Sequence, residues 1–574
     1  MTTSRNSRFQ VDAWFVVIAC ALLYPTRVLS QNLWVIDTTW GWSQDTDAGL
    51  FSSFSLFPQG APWGGDAFMW ENPHTLIYHD ALAPASMGQW TIVGTAMWGE
   101  EVSSEGSFYL SSSDEGVPSE SLLFPAMENA SFTDTLRATS RGACACGEDI
   151  VVVGDLTSSN TTRSAFALKW GLQSSNVPFM YDLSFSEGGV DTLTFLGPDQ
   201  SFEACAAYGA QLAMVGWGLD SCCVHKEVPI VRVVDGESGA SWTGFGNSGT
   251  IALELPSGMI NDSIGGLPIH ETGGWFEDVA WSPDGQVLFA AGAALNGNVF
   301  QPILAKFHID GTLDEPFADG GLSLPLLSPS QNHWITSLAV LENGNVVALM
   351  KAGPGEDIEG TSLWLLHWNP LGEWQVDVLP WEDVFTPGHL EARGNEVAIV
   401  GTIGDVISIF GERQIGVATW SPDSSWTGVG SSSSQYLLSG SDIAWVGDSA
   451  LHVSARYNSP TIPAVEAPWD DGSSFGIYRF SRENLPTAIE ELTVLTPSSQ
   501  IKPNPTNEMT QWAIERPADR VVLRNITGNV VWDEMINGEE EVLLHTSFLP
   551  NGVYIATASY EGKVVAQTRF IVGH

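Results

Sequence analysis

The stretch WSPDGQVLFAAGAALNGNVFQPILAKFHIDGTLDEPFADGGLSLPL, Trp281 to Leu326, decides the fold. It reads as an apolar β-run, a polar turn, a second alternating run from Pro302 to His308, an Asp310-Gly311 turn, and a Gly-rich lead into a further strand. Turn residues between short alternating runs predict a small antiparallel sheet. Two of its landmarks recur along the chain. The apolar run, often ending in a small residue, returns as WTIVG from Trp90, IVVVG from Ile150, LAMVG from Leu212, VLFAAG from Val287, VVALM from Val346, VAIVG from Val397 and LHVS from Leu451. A second strand follows each: SFYL from Ser107, AFALKW from Ala165, IVRVV from Ile230, ILAKF from Ile303, LWLLHW from Leu363, GVATW from Gly416 and GIYRF from Gly476.

Seven units of three or four short strands, about fifty to seventy-six residues apart, predict an all-β chain whose body is a seven-bladed β-propeller. A single blade leaves both faces and its edges open, whereas a ring packs each blade between two neighbours. An open array, or a ring of six or eight blades, is the alternative. The seventh unit ends at Phe480 without a fourth strand, and the segment Asp47 to Leu56 (DAGLFSSFSL) looks like that missing strand placed ahead of the first blade. The N-terminal strand is therefore expected to complete the last blade.

The unit from Trp281 to Leu326 resembles the delta-sixty repeat of bacterial secreted and surface propellers. The likeness is partial at DLSFSEGGVDTLTF from Asp182 and at VVDGESGASWTGFGNSGTIAL from Val233, and poor in blades five to seven. It implies a fold and no defined reaction.

Residues 1–30 carry Arg5 and Arg8, an apolar run from Ala13 to Tyr24, and Val28-Leu29-Ser30 before Gln31, the layout of a secretory signal peptide. The run is too short for a transmembrane helix, which needs about twenty residues. Val17 to Cys20 also has the form of a lipoprotein box. Losing Arg5, Arg8, Arg27 and Asp12 with the leader makes the chain two charges more negative than its formal −45. With only 22 Lys and Arg, the chain has no basic patch for nucleic acid or anionic lipid. The 24 Trp fit packing between blades, with some at loop tips able to stack on sugars.

The segment changes character at Leu485. Residues 485–500 form a Pro/Ser/Thr-bearing linker, and residues 501–574 hold short alternating strands that predict a small β-sandwich. This segment resembles the C-terminal sorting domain of the type IX secretion system of Bacteroidetes. The likeness rests on Pro503-Asn504-Pro505-Thr506-Asn507, the Gly528-Asn529 turn, Leu549-Pro550-Asn551-Gly552-Val553-Tyr554 and Arg569-Phe570-Ile571-Val572. It implies passage through the periplasm, recognition by the outer-membrane secretion machinery, and a secreted or surface-held product.

Candidate chemistry is sparse. Three histidines sit at or just before predicted innermost strands: His74, His333 and His389. With Glu277 and Asp278 they are the candidate channel-mouth site, either for an acid/base or metal role or as polar lining of a wet channel. No Ser/His/Asp order, H-E-x-x-H or phosphate loop accompanies them, and no cofactor or metal is expected. Cys144, Cys146, Cys205, Cys222 and Cys223 are disulfide candidates in an oxidising compartment, their pairing open. A glycan- or protein-binding surface propeller leads the functional reading. A secreted hydrolase or lyase, and a structural or gliding-related surface component, are the alternatives.

Overall fold

The computed structural model describes strands and turns between residues 32 and 572. It covers most of 137–458 and 509–572, and elsewhere 32–36, 50–54, 68–78, 90–99, 104–112, 118–123, 474–483 and 501–502. The leader 1–30, the linker and the motif from Pro503 to Asn507 lie outside the described residues. Every described element is a β-strand, and nearly all pairing is antiparallel. The chain divides into two compact units, Met1–Glu483 and Asn484–His574.

The stretch from Trp281 supplies most of one four-stranded sheet, Gly274–Trp281, Val287–Asn296, Val299–His308 and Leu322–Ser323, paired in chain order. Its first turn closes where the Ser282 hydroxyl donates to Asp284 Oδ1 at 2.6 Å, and its Asp310-Gly311 turn where Thr312 N–H donates to Asp310 Oδ1 at 2.9 Å. The Gly-rich lead is built on Phe317, 1% exposed, whose N–H bonds to Asp314 O at 2.8 Å. Phe245 and Phe185 occupy the same place in the two preceding sheets, both fully buried. The residue after each phenylalanine has positive φ, and its N–H reaches a turn of the following sheet: Ser186 to Ser238 O, Gly246 to Asp310 O, Ala318 to Leu371 O. The repeat therefore encodes a buried plug and a tie to the next unit.

Six further sheets surround this pattern in sequence. Their lead strands are Phe68–Tyr78, Arg137–Cys146, Gln200–Tyr208, Asn332–Val340, Phe385–Arg393 and Leu437–Val446, which makes Gly274–Trp281 the lead strand of the fourth sheet. Leu50–Phe54 pairs with Ser474–Glu483 of the seventh group. A second N-terminal strand, unforeseen in the sequence, also pairs there. Asn32–Ile36 runs antiparallel to Ser474–Glu483 and parallel to Ser425–Ser431, which joins the sixth and seventh groups into one nine-stranded sheet.

Each lead strand slips one residue against its partner. The bulge falls at His74, Arg141, Glu203, Glu277, Thr336 and Ser441, and at Gly388-His389 in the sixth sheet. The bulge brings a lead-strand carbonyl across the second strand. A Cβ at Gly292 would lie 2.2 Å from Trp275 O, and one at Gly216 2.0 Å from Ser201 O. This close approach is why those runs end in glycine; in the fifth sheet Met350 stands at the facing position. In the seventh sheet the facing pair is Ala455 with Gly440, one residue beyond the end expected at Ser454.

Apolar faces pack from sheet to sheet. Phe276 and Val279 meet Val215 and Val231 of the third sheet; Phe289 and Leu304 meet Ile335 and Met350 of the fifth. Similar clusters join the first to the second sheet, the second to the third, the fifth to the sixth and the sixth to the seventh. Each such side chain contributes about 1.5–3 kcal/mol on burial. The seventh lead strand adjoins the first, and Leu76 N–H donates to Asp442 Oδ2 at 2.6 Å across that junction.

The second unit holds five strands linked by hydrogen bonds into one continuous sheet. Its long strand Met509–Asn525 loses register between Ala513 and Ala518. One half pairs with Ile501–Lys502 and the other with Gly552–Tyr560, so one strand serves two regions around buried Trp512, Leu523 and Tyr554.

Replacing Gly292 by Ala should cost about 1–3 kcal/mol through backbone displacement. A fall in the thermal unfolding midpoint of the Gly292→Ala chain checks this, and an unchanged midpoint contradicts the bulge account.

Candidate functional site

The lead strand of a sheet has no strand beside its inner edge, so its N–H groups there need acceptors from elsewhere. In the fourth to seventh sheets side chains just after the bulges supply them. Asp278 accepts from its own neighbour Val279 N–H at 2.7 Å and, across the junction, from Leu338 N–H at 2.7 Å and the Ser337 hydroxyl at 3.2 Å. Ser337 Oγ accepts from Leu390 N–H at 3.2 Å, Glu391 from Trp445 N–H at 2.7 Å, and Asp442 from Leu76.

His389 sits among these groups. Its Nδ1 lies 2.8 Å from Asp442 Oδ1 and its Nε2 3.5 Å from Asp278 Oδ2, so one imidazole spans the fourth, sixth and seventh sheets. Burial disfavours its charged form, but the carboxylates of Asp442 and Asp278 outweigh this and hold its pKa well above the ordinary value. The ring is half-buried, with 38% of its side chain accessible. With both nitrogens against carboxylates, the protonated ring works as a clamp. It has no free nitrogen for general base work.

Glu277 belongs to a second, adjoining cluster. Trp275 Nε1–H donates to Glu277 Oε1, and Trp217 Nε1–H donates to Glu203 Oε1 at 3.1 Å. Arg141 Nε stands 3.9 Å from Glu203 Oε2 and 3.3 Å from Asp155 Oδ2. Arg141, Glu203 and Glu277 are the bulge residues of three consecutive lead strands. Burial, and then the charge of Glu203, push the Glu277 carboxyl up to about 7, against the lowering bond from Trp275.

The structure thus brings His389 and Asp278 together, places Glu277 beside them, and adds Asp442, Glu203 and Arg141, which the sequence did not single out. His333 departs from the expected mouth position: it is 1% exposed, its Nδ1 has no partner, and burial lowers its pKa. No polar contact links it to His389 among the described residues. The side chain of His74 lies outside the described residues, although its backbone forms the first bulge. Among the described residues no group of three or more His, Cys, Asp or Glu could hold a metal ion.

Cys144 and Cys205 form a disulfide between the second and third lead strands, Cα atoms 5.8 Å apart. Cys146 is a free, buried thiol whose pKa burial raises. Cys222 and Cys223 lie outside the described residues.

In the second unit Gly552 opens a strand opposite Val572, Arg569 pairs with Ile555, and the Tyr554 hydroxyl donates to Pro550 O at 2.8 Å, closing the Leu549-Pro550 turn. Pro503, Asn504, Pro505 and Gly528 lie outside the described residues.

Residues 500–573 match the family described as the secretion system C-terminal sorting domain. The chain carries a type IX sorting domain and is exported to the cell surface or extracellular space. No helix among the described residues is long and apolar enough to cross a membrane. No curated protein matches the chain. Similar solved structures include a phage phi92 endosialidase, at 10% identity over 72% of this chain and 69% of that one, TM-score 0.34. A Pseudomonas aeruginosa periplasmic gluconolactonase is 12% identical over 71% of this chain and 96% of its own, TM-score 0.34. A Pyrococcus horikoshii acylaminoacyl peptidase is 9% identical over 79% and 59%, TM-score 0.35. Likeness at this level carries no inference about activity.

The raised pKa of His389 has a signed consequence. The folded chain holds that proton more tightly than the unfolded chain does, so the clamp's stabilisation is complete below about pH 6.5 and is lost as pH climbs through the raised value. Thermal midpoints of the wild type should therefore decline on the alkaline side of neutrality. The His389→Gln chain should show a flatter profile, and parallel profiles would remove His389 from this role.

Proposed function

We propose that the chain, sent outward by its sorting domain, presents residues 31–484 at the surface or in the medium as a seven-bladed propeller, a rigid binding or display scaffold for a glycan or protein partner. Residues 1–30 act as the signal peptide, 485–500 as linker and 501–574 as the sorting segment. Ring closure is supported by the cyclic adjacency of the seven lead strands, with Leu76 bonded to Asp442 between the seventh and first, and by the two N-terminal strands on Ser474–Glu483.

One observation carries the scaffold reading over the hydrolase reading. The histidine that the structure brings to the bulge level has both nitrogens facing carboxylates, and those carboxylates also cap backbone N–H groups of neighbouring sheets. A catalytic base needs a nitrogen or oxygen directed at substrate; here the groups hold blades together.

A thermal-shift screen of the mature chain against polysaccharides, with product release followed in the same wells, tests this reading. The expected result is a midpoint rise with intact ligand, since a ligand at 100 times its Kd adds about 2.7 kcal/mol. Product release would replace the scaffold by an enzyme.

A further inference from the structure

We infer that the bulge residues Arg141, Glu203 and Glu277, with the indoles of Trp217 and Trp275, form a binding site for a neutral, polyhydroxylated ligand, an oligosaccharide. The inference rests on the propeller scaffold reading and names its ligand class.

Position is the first argument. The three side chains come from the same bulge of three consecutive lead strands, and unlike Asp278, Ser337 and Asp442 none of them caps a backbone N–H of a neighbouring sheet. Capping a neighbouring sheet's backbone therefore does not explain their location, and among them the Arg141–Glu203 ion pair at 3.9 Å lies between the second and third sheets.

Pre-organisation is the second. An indole N–H fixes one oxygen of each glutamate, and Trp275 is held edge-on against Phe300 with ring centroids 4.6 Å apart. Glu277 is half-buried, and its Oε2 has no partner among the described residues. A part-exposed carboxyl oxygen without a partner is an acceptor held ready for a ligand donor.

Charge selects the ligand. Burial and then the charge of Glu203 raise the Glu277 carboxyl, and the Arg141 guanidinium stands between Asp155 at 3.3 Å and Glu203 at 3.9 Å. The site therefore offers more acceptors than donors, carboxyl oxygens set beside indole and guanidinium N–H groups, and it repels an anion. Sugar hydroxyls, each a donor and an acceptor, match that mixture, and half-buried indoles supply apolar surface for pyranose C–H faces.

The test is calorimetric titration of the full mature chain with cellohexaose, laminarihexaose and mannohexaose, and separately with a chitosan hexamer and calcium chloride. At least one neutral hexasaccharide should bind, weakened at least tenfold by Glu277→Ala and by Glu203→Ala. The isosteric Glu277→Gln guards against a folding defect, and Glu373→Ala, in an exposed turn of the fifth sheet, should leave affinity unchanged. Sugar binding that survives both glutamate changes overturns this site and leaves the scaffold standing. Binding of only the cationic probes, or of none, overturns the ligand class. Release of reducing ends that Glu277→Gln abolishes keeps the site and overturns the non-catalytic scaffold.

Discussion

The inner edge of the lead strand is the constraint on which the body of this protein depends. In any sheet with a free edge, backbone N–H groups must find acceptors, and an unpaired one costs free energy comparable to a lost hydrogen bond. Here the edge faces the preceding sheet, so the acceptors come from side chains there, and satisfying the backbone also fixes one sheet against the next. The bulge makes this geometry possible. It turns the following residue toward the junction, where Asp278, Ser337 and Asp442 meet Leu338, Leu390 and Leu76.

The same constraint explains what could be read in advance. At Gly154, Gly216 and Gly292 the bulge brings a carbonyl where a Cβ would stand, so glycine ends those runs, and that recurring glycine was visible in the sequence. The Gly-rich lead was visible too, but that Phe317 within it is a buried plug is known only from the packing. The residues that do the tying were harder to see. The turn between lead and second strand varies in length, so His74 lies far from Gly94 in sequence while Arg141 lies close to Gly154, and offsets measured from the glycine fail to align them. Asp442 and Glu203 went unnoticed because nothing local distinguishes a capping acid from a solvated one. His333 was named for its nearness to a strand start, but it lies before the bulge and is buried.

Pairing across chain ends was legible only in part. The resemblance of the segment from Asp47 to a fourth strand pointed to an edge needing cover, and Leu50–Phe54 lies on that edge. Asn32–Ile36 carries no turn signal or repeat landmark. Its place between Ser425–Ser431 and Ser474–Glu483 follows from two sheet edges left facing each other, a tertiary fact that no local pattern records.

The ties are not of one kind around the body, and the variation bears on function. After the bulge the second and third sheets have Gly142 and Ala204, residues with no acceptor to offer. Their junctions are held differently: the Cys144–Cys205 disulfide joins the second sheet to the third, and the Trp281 indole N–H reaches Ala206 O at 3.2 Å between the third and fourth. A covalent bond or an indole placed deeper in the junction relieves the bulge-level side chains of structural work. Where the acid-capped ties prevail, from the fourth sheet round to the first, the polar groups at that level are saturated by backbone and by one another. Where disulfide and indole take over, the bulge residues Arg141, Glu203 and Glu277 meet one another and two indoles instead of backbone N–H groups. The division follows from which residue follows the bulge, and under the proposed scaffold reading it sets the candidate ligand site beside the second to fourth sheets.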